Sequence, residues 1–288
     1  MISESSRLAV LLSALLLAVI VFAPISAIET PRDREFAAIL APEPALDAHA
    51  YLVKIIGAPR PLAKRREWKK LPPASLTKLM TAVIASEVIP PESIIVFSEQ
   101  AKKVEPKSSA APIGEKFFRD DVIRLALMES ANDAASALAE SAGGVEKFIV
   151  FMNEEARSLG LQNSSFKNPT GLDEKDHFST AEDLALLAEY IVNSHPEIWK
   201  ITRTIEDGVL SLDGRGYKVT NTNELLREFP AILGGKTGFT DMAKGTLLFL
   251  YPVRPDKIAV TVVLGSDDRF EDGRRIIRWL EKISWNPS

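Results

Sequence analysis

Two apolar stretches near the C-terminus, Gly245 to Tyr251 and Lys257 to Gly265, flank Pro252-Val-Arg-Pro-Asp256. Runs this apolar, bounded by turn residues, read as adjacent strands buried in a sheet. A lone strand pair is marginal in water, so other elements have to cover it. Val209 to Thr220 holds Asp213-Gly214 between β-prone flanks, a hairpin signal. Ala50 to Ile56 reads as a strand ended by Gly57 and Pro59, and Ala63 to Trp68 as a short return strand. The middle of the chain is helical in pattern. Ser75 to Val88 places Leu76, Leu79, Met80 and Val83 on one side, bracketed by Pro72-Pro73 and Pro90-Pro91. Asp120 to Glu140, Val145 to Leu159 and Thr180 to Asn193 follow, the last opened by Ser179 or Thr180 with Glu182 and Asp183 behind it. Asp268 to Ile283 is an amphipathic closing helix. A strand pair, a helical middle, late strands and a last helix predict an α+β chain. Its first strands and last helix are expected to join the late sheet.

Composition narrows the chemistry. Cysteine is absent and only three histidines are present, His49, His177 and His195. That removes disulfides, thiol catalysis and cysteine metal sites, and makes a multi-histidine metal cage improbable. A net charge of −4 gives no basic field for nucleic acid. Any reaction must run mainly on Ser, Lys, Asp, Glu and Tyr.

The N-terminus is polar to Ser6, then Arg7, then apolar from Leu8 to Ala23 save Ser13, then Pro24-Ile-Ser-Ala27. This is the pattern of an export signal covering 1–27, cut after Ala27. The alternative is an uncleaved anchor, in which case residues 8–27 tether the chain to a membrane. Residues 28–46 carry three prolines and mixed charge and read as a linker, leaving 47–288 as the folded domain.

Three short patterns can carry chemistry. Ser75-Leu-Thr-Lys78 sits at an expected helix start, where residues i and i+3 share a face. Lys78 can then take the proton of the Ser75 hydroxyl, if it is held neutral. From a reference pKa of about 10.4 that requires a fall of roughly three units, or about 4 kcal/mol. Burial and a nearby second cation both push that way. Alone the pattern is weak: S-x-x-K arises by chance about once in a chain this long, and Ser164-Ser-Phe-Lys167 also matches, in a loop setting. Ser130-Ala-Asn132 follows the apolar Val122 to Met128. If the helix breaks there, a hydroxyl and an amide both enter a cleft; the plain alternative is a capping pair. Ser284-Trp-Asn286 matches this pattern too. Lys236-Thr-Gly238 is rarer. It offers a cation and a hydroxyl suited to a carboxylate, and Gly238 lets a substrate backbone approach.

The order S-x-x-K, S-x-N, K-T-G is the signature of penicillin-binding proteins and serine β-lactamases. The wording goes further. Pro73-Ala-Ser-Leu-Thr-Lys-Leu-Met-Thr81, Ser130-Ala-Asn-Asp-Ala-Ala135 and Gly234-Gly-Lys-Thr-Gly-Phe-Thr240 strongly resemble the D-alanyl-D-alanine carboxypeptidases. So do Met152-Asn153 with Leu159-Gly160, and Asn168-Pro-Thr-Gly-Leu-Asp173 with His177 and Ser179-Thr180. The resemblance runs from about Tyr51 to about Leu280. It implies a β-lactamase/DD-peptidase-like fold, an antiparallel sheet flanked by helices with a mostly helical subdomain. It also implies an exported, periplasmic or extracytoplasmic serine peptidase acting on peptidoglycan stem peptides and inhibited by β-lactam antibiotics, without cofactor. Carried over, Ser75 is the nucleophile, Lys78 its base and Ser130 a proton relay. Asn132, Lys236, Thr237 and Gly238 hold substrate, and the backbone N–H groups of Ser75 and Phe239 form the oxyanion hole. His177 is expected to order a loop rather than to catalyse, and His49 and His195 to be surface or strand-end residues.

The basic stretch Lys64-Arg-Arg-Glu-Trp-Lys-Lys70 departs from the resembled pattern and is expected to face solvent. Many relatives continue into a β-rich domain and a membrane helix, and the end at Ser288 carries the expectation of no such anchor. Among alternatives, a β-lactamase of the common type needs E-x-x-L-N between Ser130 and Lys236, and no such string is there. A DD-endopeptidase shares every motif. An inactive wall-binding module is the non-enzymatic alternative, against which stand the intact motif residues.

Overall fold

The computed structural model describes residues 42–105 and 109–284. The expected signal (1–27), most of the linker and Trp285-Asn286 lie outside the described residues. Within the compact unit Glu43–Ser288, the centre is a five-stranded antiparallel sheet. Its strands are β1 (Ala50–Ile55), β2 (Ala63–Arg65), β7 (Gly234–Thr240), β8 (Lys244–Arg254) and β9 (Lys257–Ser266), in the order β2-β1-β9-β8-β7. The expected union of first and late strands is therefore present, through the pairing Ala50↔Leu264 to Ile55↔Ala259. β2 stops at Arg65, short of Trp68, where Arg66 turns to φ 48°.

The strands are apolar almost throughout because both faces are covered. Side chains alternate between two cores. Leu52, Leu248, Leu250, Val260 and Val262 enter the larger one, shared with the helices. Tyr51, Val53, Leu247, Phe249 and Val263 enter the smaller one, with Ile276, Ile277 and Leu280. These last residues belong to the closing helix Arg269–Ser284.

The larger core surrounds α1 (Thr77–Val88), preceded by one 3-10 turn, Ala74–Leu76. Every α1 residue from Thr77 to Ala85 is buried, so the apolar stripe anticipated from sequence is only part of its packed surface. Around it run α2 (Glu99–Lys102), α3 (Arg119–Arg124), α4 (Asn132–Ser141), α5 (Val145–Ser158), α6 (Ala181–Ser194) and α7 (Pro196–Arg203). The expected Asp120–Glu140 helix is interrupted: α3 passes into a π turn, Leu125–Glu129, and ends at Ser130 in the left-handed conformation. Two small ribbons complete the unit. One is the expected hairpin, β5 (Glu206–Leu210) with β6 (Gly216–Thr220), which stays apart from the large sheet. The other, β3 (Ile94–Val96) with β4 (Lys116–Phe118), has no counterpart in the sequence expectations. No helix of the described residues is long and apolar enough to cross a membrane.

Asp272 ties the closing helix to the chain start. Its buried carboxylate accepts hydrogen bonds from Asp47 N and Ala48 N, both 2.9 Å, and from Ser266 Oγ at 2.6 Å. Asp272→Ala leaves these donors without an acceptor and is expected to lower the unfolding free energy by about 3 kcal/mol. Urea titration checks this; a loss below about 1 kcal/mol contradicts it.

Candidate active site

The three motifs arrive from three different elements. Pro72-Pro73 leads into Ala74, with Pro73 already in the right-handed helical region and Ala74 at φ 49°, unusual for a residue with a Cβ. The 3-10 turn then lifts Ser75 to the head of α1. The π turn and the left-handed Ser130 (φ 61°) break the second helix so that Ser130 and Asn132 face Lys78 and β7. β7, an edge strand, brings Lys236-Thr-Gly238.

Lys78 is fully buried. Its Nζ lies 3.0 Å from Ser75 Oγ, 2.7 Å from Asn132 Oδ1 and 2.7 Å from the carbonyl oxygen of Thr170. Lys236, also buried, donates to Ser130 Oγ at 2.9 Å and to the Thr237 carbonyl at 2.9 Å. Thr237 Oγ1 is 2.6 Å from Thr222 Oγ1. Hydrogen bonds thus join Ser75, Lys78 and Asn132 in one group and Ser130, Lys236 and Thr237 in a second, the two meeting in the chain at Ser130-Ala-Asn132.

Gly238 has a packing reason beside the expected substrate approach. A Cβ there would lie 2.8 Å from Ser75 N, 2.9 Å from Ala74 Cβ and 2.4 Å from Thr246 Oγ1. The missing side chain makes room for the nucleophile's own turn. Gly171 does the same from the other side: at φ 84°, a Cβ would sit 1.9 Å from the Ala74 carbonyl oxygen. Phe239 follows Gly238 at the site's mouth with its ring 57% exposed.

The loop Asn168–Asp173, matched only as a linking segment in the sequence, supplies groups that motif reasoning missed. Thr170 O holds Lys78, and Pro169 O accepts from Thr81 Oγ1 at 2.6 Å. Asn168 Oδ1 accepts from Thr170 and Gly171 N–H groups, shaping the loop. Asp173 accepts from Thr240 Oγ1 at 2.6 Å, fastening the loop to the end of β7. A backbone carbonyl leaves no residue-type signal, but the helix-breaking Asn-Pro-x-Gly string did mark a shaped loop.

His177 orders this region, as expected. It is buried against Phe166 and lies 3.0 Å, through Nε2, from Thr77 Oγ1. Its Nδ1 accepts the Lys167 N–H at 3.3 Å, so the neutral ring keeps its proton on Nε2 and donates to Thr77. Burial, aided by the Lys167 charge and opposed by Asp173, pushes its pKa down to about 4. The second S-x-x-K serine, Ser164, is occupied structurally, donating to Asp183 at 2.7 Å. His49 is exposed, and His195 lies beside Glu87 and Glu197. Lys64 to Lys70 is exposed apart from the half-buried Glu67, as expected. Among the described residues no His, Asp and Glu group is arranged to hold a metal.

A buried lysine beside a serine at a helix start, with a second lysine–serine pair nearby, is an arrangement able to move a proton off a serine hydroxyl and so to support acyl transfer. Comparisons with known proteins narrow the class. The family description D-alanyl-D-alanine carboxypeptidase matches residues 38–268. The carboxypeptidase DacF of Bacillus subtilis is 33% identical over 74% of this chain and 56% of its own length. A D-alanyl-D-alanine endopeptidase of Escherichia coli is 34% identical over 73% of this chain and 69% of its own. The solved D-alanyl-D-alanine carboxypeptidase of Mycobacterium tuberculosis H37Rv superposes with a TM-score of 0.77 at 25% identity, covering 86% of this chain and 95% of that one. This chain belongs to the D-alanyl-D-alanine carboxypeptidase family. It spans between 56% and 63% of the length of three of the carboxypeptidases it matches.

Two outcomes follow from this packing. Gly238→Ala should displace the Ser75 turn and slow acylation by a labelled penicillin about a hundredfold; an unchanged rate contradicts the close-approach account. For His177, the folded pKa lies below the unfolded one. The unfolded chain therefore binds the proton first, and stability present above pH about 6.5 is lost as pH falls through about 4. The shift is worth about 3 kcal/mol. The stability difference between wild type and His177→Gln, from urea unfolding at neutral pH and near pH 4, should shrink by about that amount. A difference independent of pH contradicts it.

Proposed function

We propose that this protein is a serine D-alanyl-D-alanine carboxypeptidase that removes the terminal D-alanine from peptidoglycan pentapeptide stems. The observation that carries the proposal is Ser75 Oγ at 3.0 Å from the buried Nζ of Lys78. Burial disfavours the ammonium form, and a neutral amine can take the hydroxyl proton as Oγ attacks the D-Ala–D-Ala carbonyl. The oxygen that becomes negative is met by the backbone N–H groups of Ser75 and Phe239, worth a few kcal/mol in the transition state. As the carbon–nitrogen bond breaks, Ser130 gives its proton to the departing amine and is reprotonated with the proton that Lys78 took from Ser75, while Lys236 at 2.9 Å holds the Ser130 oxygen. Asn132 orients the substrate amide. Lys236 and Thr237 hold the terminal carboxylate, and the extended stem lies along edge strand β7. Water then splits the ester and releases the shortened stem. β-Lactams, which imitate the D-Ala–D-Ala end, acylate Ser75 and leave slowly. We place the enzyme outside the cytoplasmic membrane, where this polymer is found; the apolar segment 8–23 supports that placement.

An endopeptidase that cuts crosslinks has the same machinery, and one relative bears that name. Incubation with a pentapeptide muropeptide and with crosslinked dimers decides between them. Release of D-alanine from the monomer, abolished in Ser75→Ala, is the expected result. Splitting of dimers without D-alanine release makes the protein an endopeptidase. No acylation of wild type by labelled penicillin returns it to a wall-binding module, and rapid penicillin hydrolysis to a β-lactamase.

A further inference from the structure

Behind the loop that carries Thr170 lies a cavity of about 450 Å³, between the C-terminal half of α5 and residues 160–167. None of the candidate catalytic side chains lines it. Its walls are fixed. Asn153 Nδ2 donates to the Ile149 and Phe166 carbonyls, both 2.8 Å, and Asn153 Oδ1 accepts from Phe166 N at 2.9 Å. Ser164 is pinned to Asp183, and Leu161 N to the Ala156 carbonyl at 2.8 Å. A volume in this range and a preformed wall are properties of small-molecule sites.

The lining decides the ligand class. Arg157 and Lys167 both face the cavity, with Gln162 and Ser165 as neutral polar groups. Among the described residues neither cation enters a salt bridge. No acidic residue lines the cavity, and Asp183, which holds Ser164, is buried and already accepts from Asn163 N at 2.8 Å and from Ser164. Two cations with hydroxyl and amide donors match an anion carrying two negative charges.

Lys167 also belongs to the catalytic framework through its backbone. Its N–H donates to His177 Nδ1, and His177 donates to Thr77, which lies between Ser75 and Lys78. The next residue, Asn168, shapes the loop whose Thr170 carbonyl holds Lys78. We propose that this cavity binds a small dianion, a dicarboxylate or a phosphate ester, and that its occupancy is felt at Ser75 through Lys167 and His177. The two are linked sites: a ligand that favours one arrangement of Lys167, His177 and Thr77 biases the arrangement at Ser75 by its differential affinity for it.

The test uses the whole exported protein, with inorganic phosphate and glutarate as probes at fixed ionic strength. Backbone amide NMR should show saturable shifts centred on residues 157–167. Arg157→Gln/Lys167→Gln, checked for an unchanged thermal midpoint, should weaken binding at least tenfold. Lys167→Arg, which keeps the charge, should bind nearly as wild type and covers the case in which the double variant is unstable. Response to glutarate alone assigns a carboxylate ligand, and to phosphate alone a phosphate ester. No saturable response to either probe, or equal binding by the double variant, overturns the site. Acylation of wild type by labelled penicillin should change at least twofold with saturating probe and not in the double variant. Binding without that change overturns the link to Ser75.

Discussion

The position of one buried amine organises this protein. Lys78 joins four parts of the chain: its own helix, the 3-10 turn of Ser75, the broken-helix segment at Asn132 and the loop at Thr170. The three contacts are to a hydroxyl, an amide oxygen and a peptide carbonyl, all uncharged. A neutral amine has two N–H donors for the two carbonyl-type oxygens and one lone pair for the serine proton. The same three oxygens also suit the three N–H donors of an ammonium, so the hydrogen bonds fix the position of Nζ and not its charge. Burial is what favours the neutral form, by penalising the ammonium.

Holding that socket requires backbone that is locally unfavourable. Ala74 and Ser130 both carry positive φ, at 49° and 61°, and the π turn before Ser130 is an uncommon piece of helix. Such positions persist when their surroundings over-determine them. The surroundings here are close. Gly171 and Gly238 admit the Ala74–Ser75 turn from opposite sides at distances that no Cβ would allow. Thr246 Oγ1 donates to the Pro73 carbonyl, and His177 fixes Thr77. In this chain the glycine of K-T-G also makes room for the Ala74–Ser75 turn.

Much of this was legible beforehand, and for physical reasons. β8 and β9 announce themselves because both faces are buried and the strands are apolar throughout. The ends of α1 are set by prolines. The interruption at Ser130 was conditional on sequence grounds, since Val122 to Met128 and Ala134 to Ala139 are both good helix; the π turn, the left-handed Ser130 and the extended Ala131 break them. β3 and β4 were missed because each has three residues with a single inward side chain, Ile95 and Phe117, too short for a period-two pattern to register. The Thr170 contact was missed because a carbonyl is common to every residue. The candidate catalytic side chains were picked out by order and wording, whereas Ser75-x-x-Lys78 by itself looked no different from Ser164-x-x-Lys167.

The central claim is that Lys78 is neutral in the free enzyme because burial penalises its ammonium form. The direct measurement is the protonation state of its side-chain nitrogen, by heteronuclear NMR on lysine-labelled protein, assigned with Lys78→Arg, at the pH where acylation is fastest. The account predicts an uncharged amine, set apart from the surface lysines. An ammonium signal for Lys78 across the whole range in which Ser75 is acylated would contradict it, and the proton of Ser75 would then have to leave by another group.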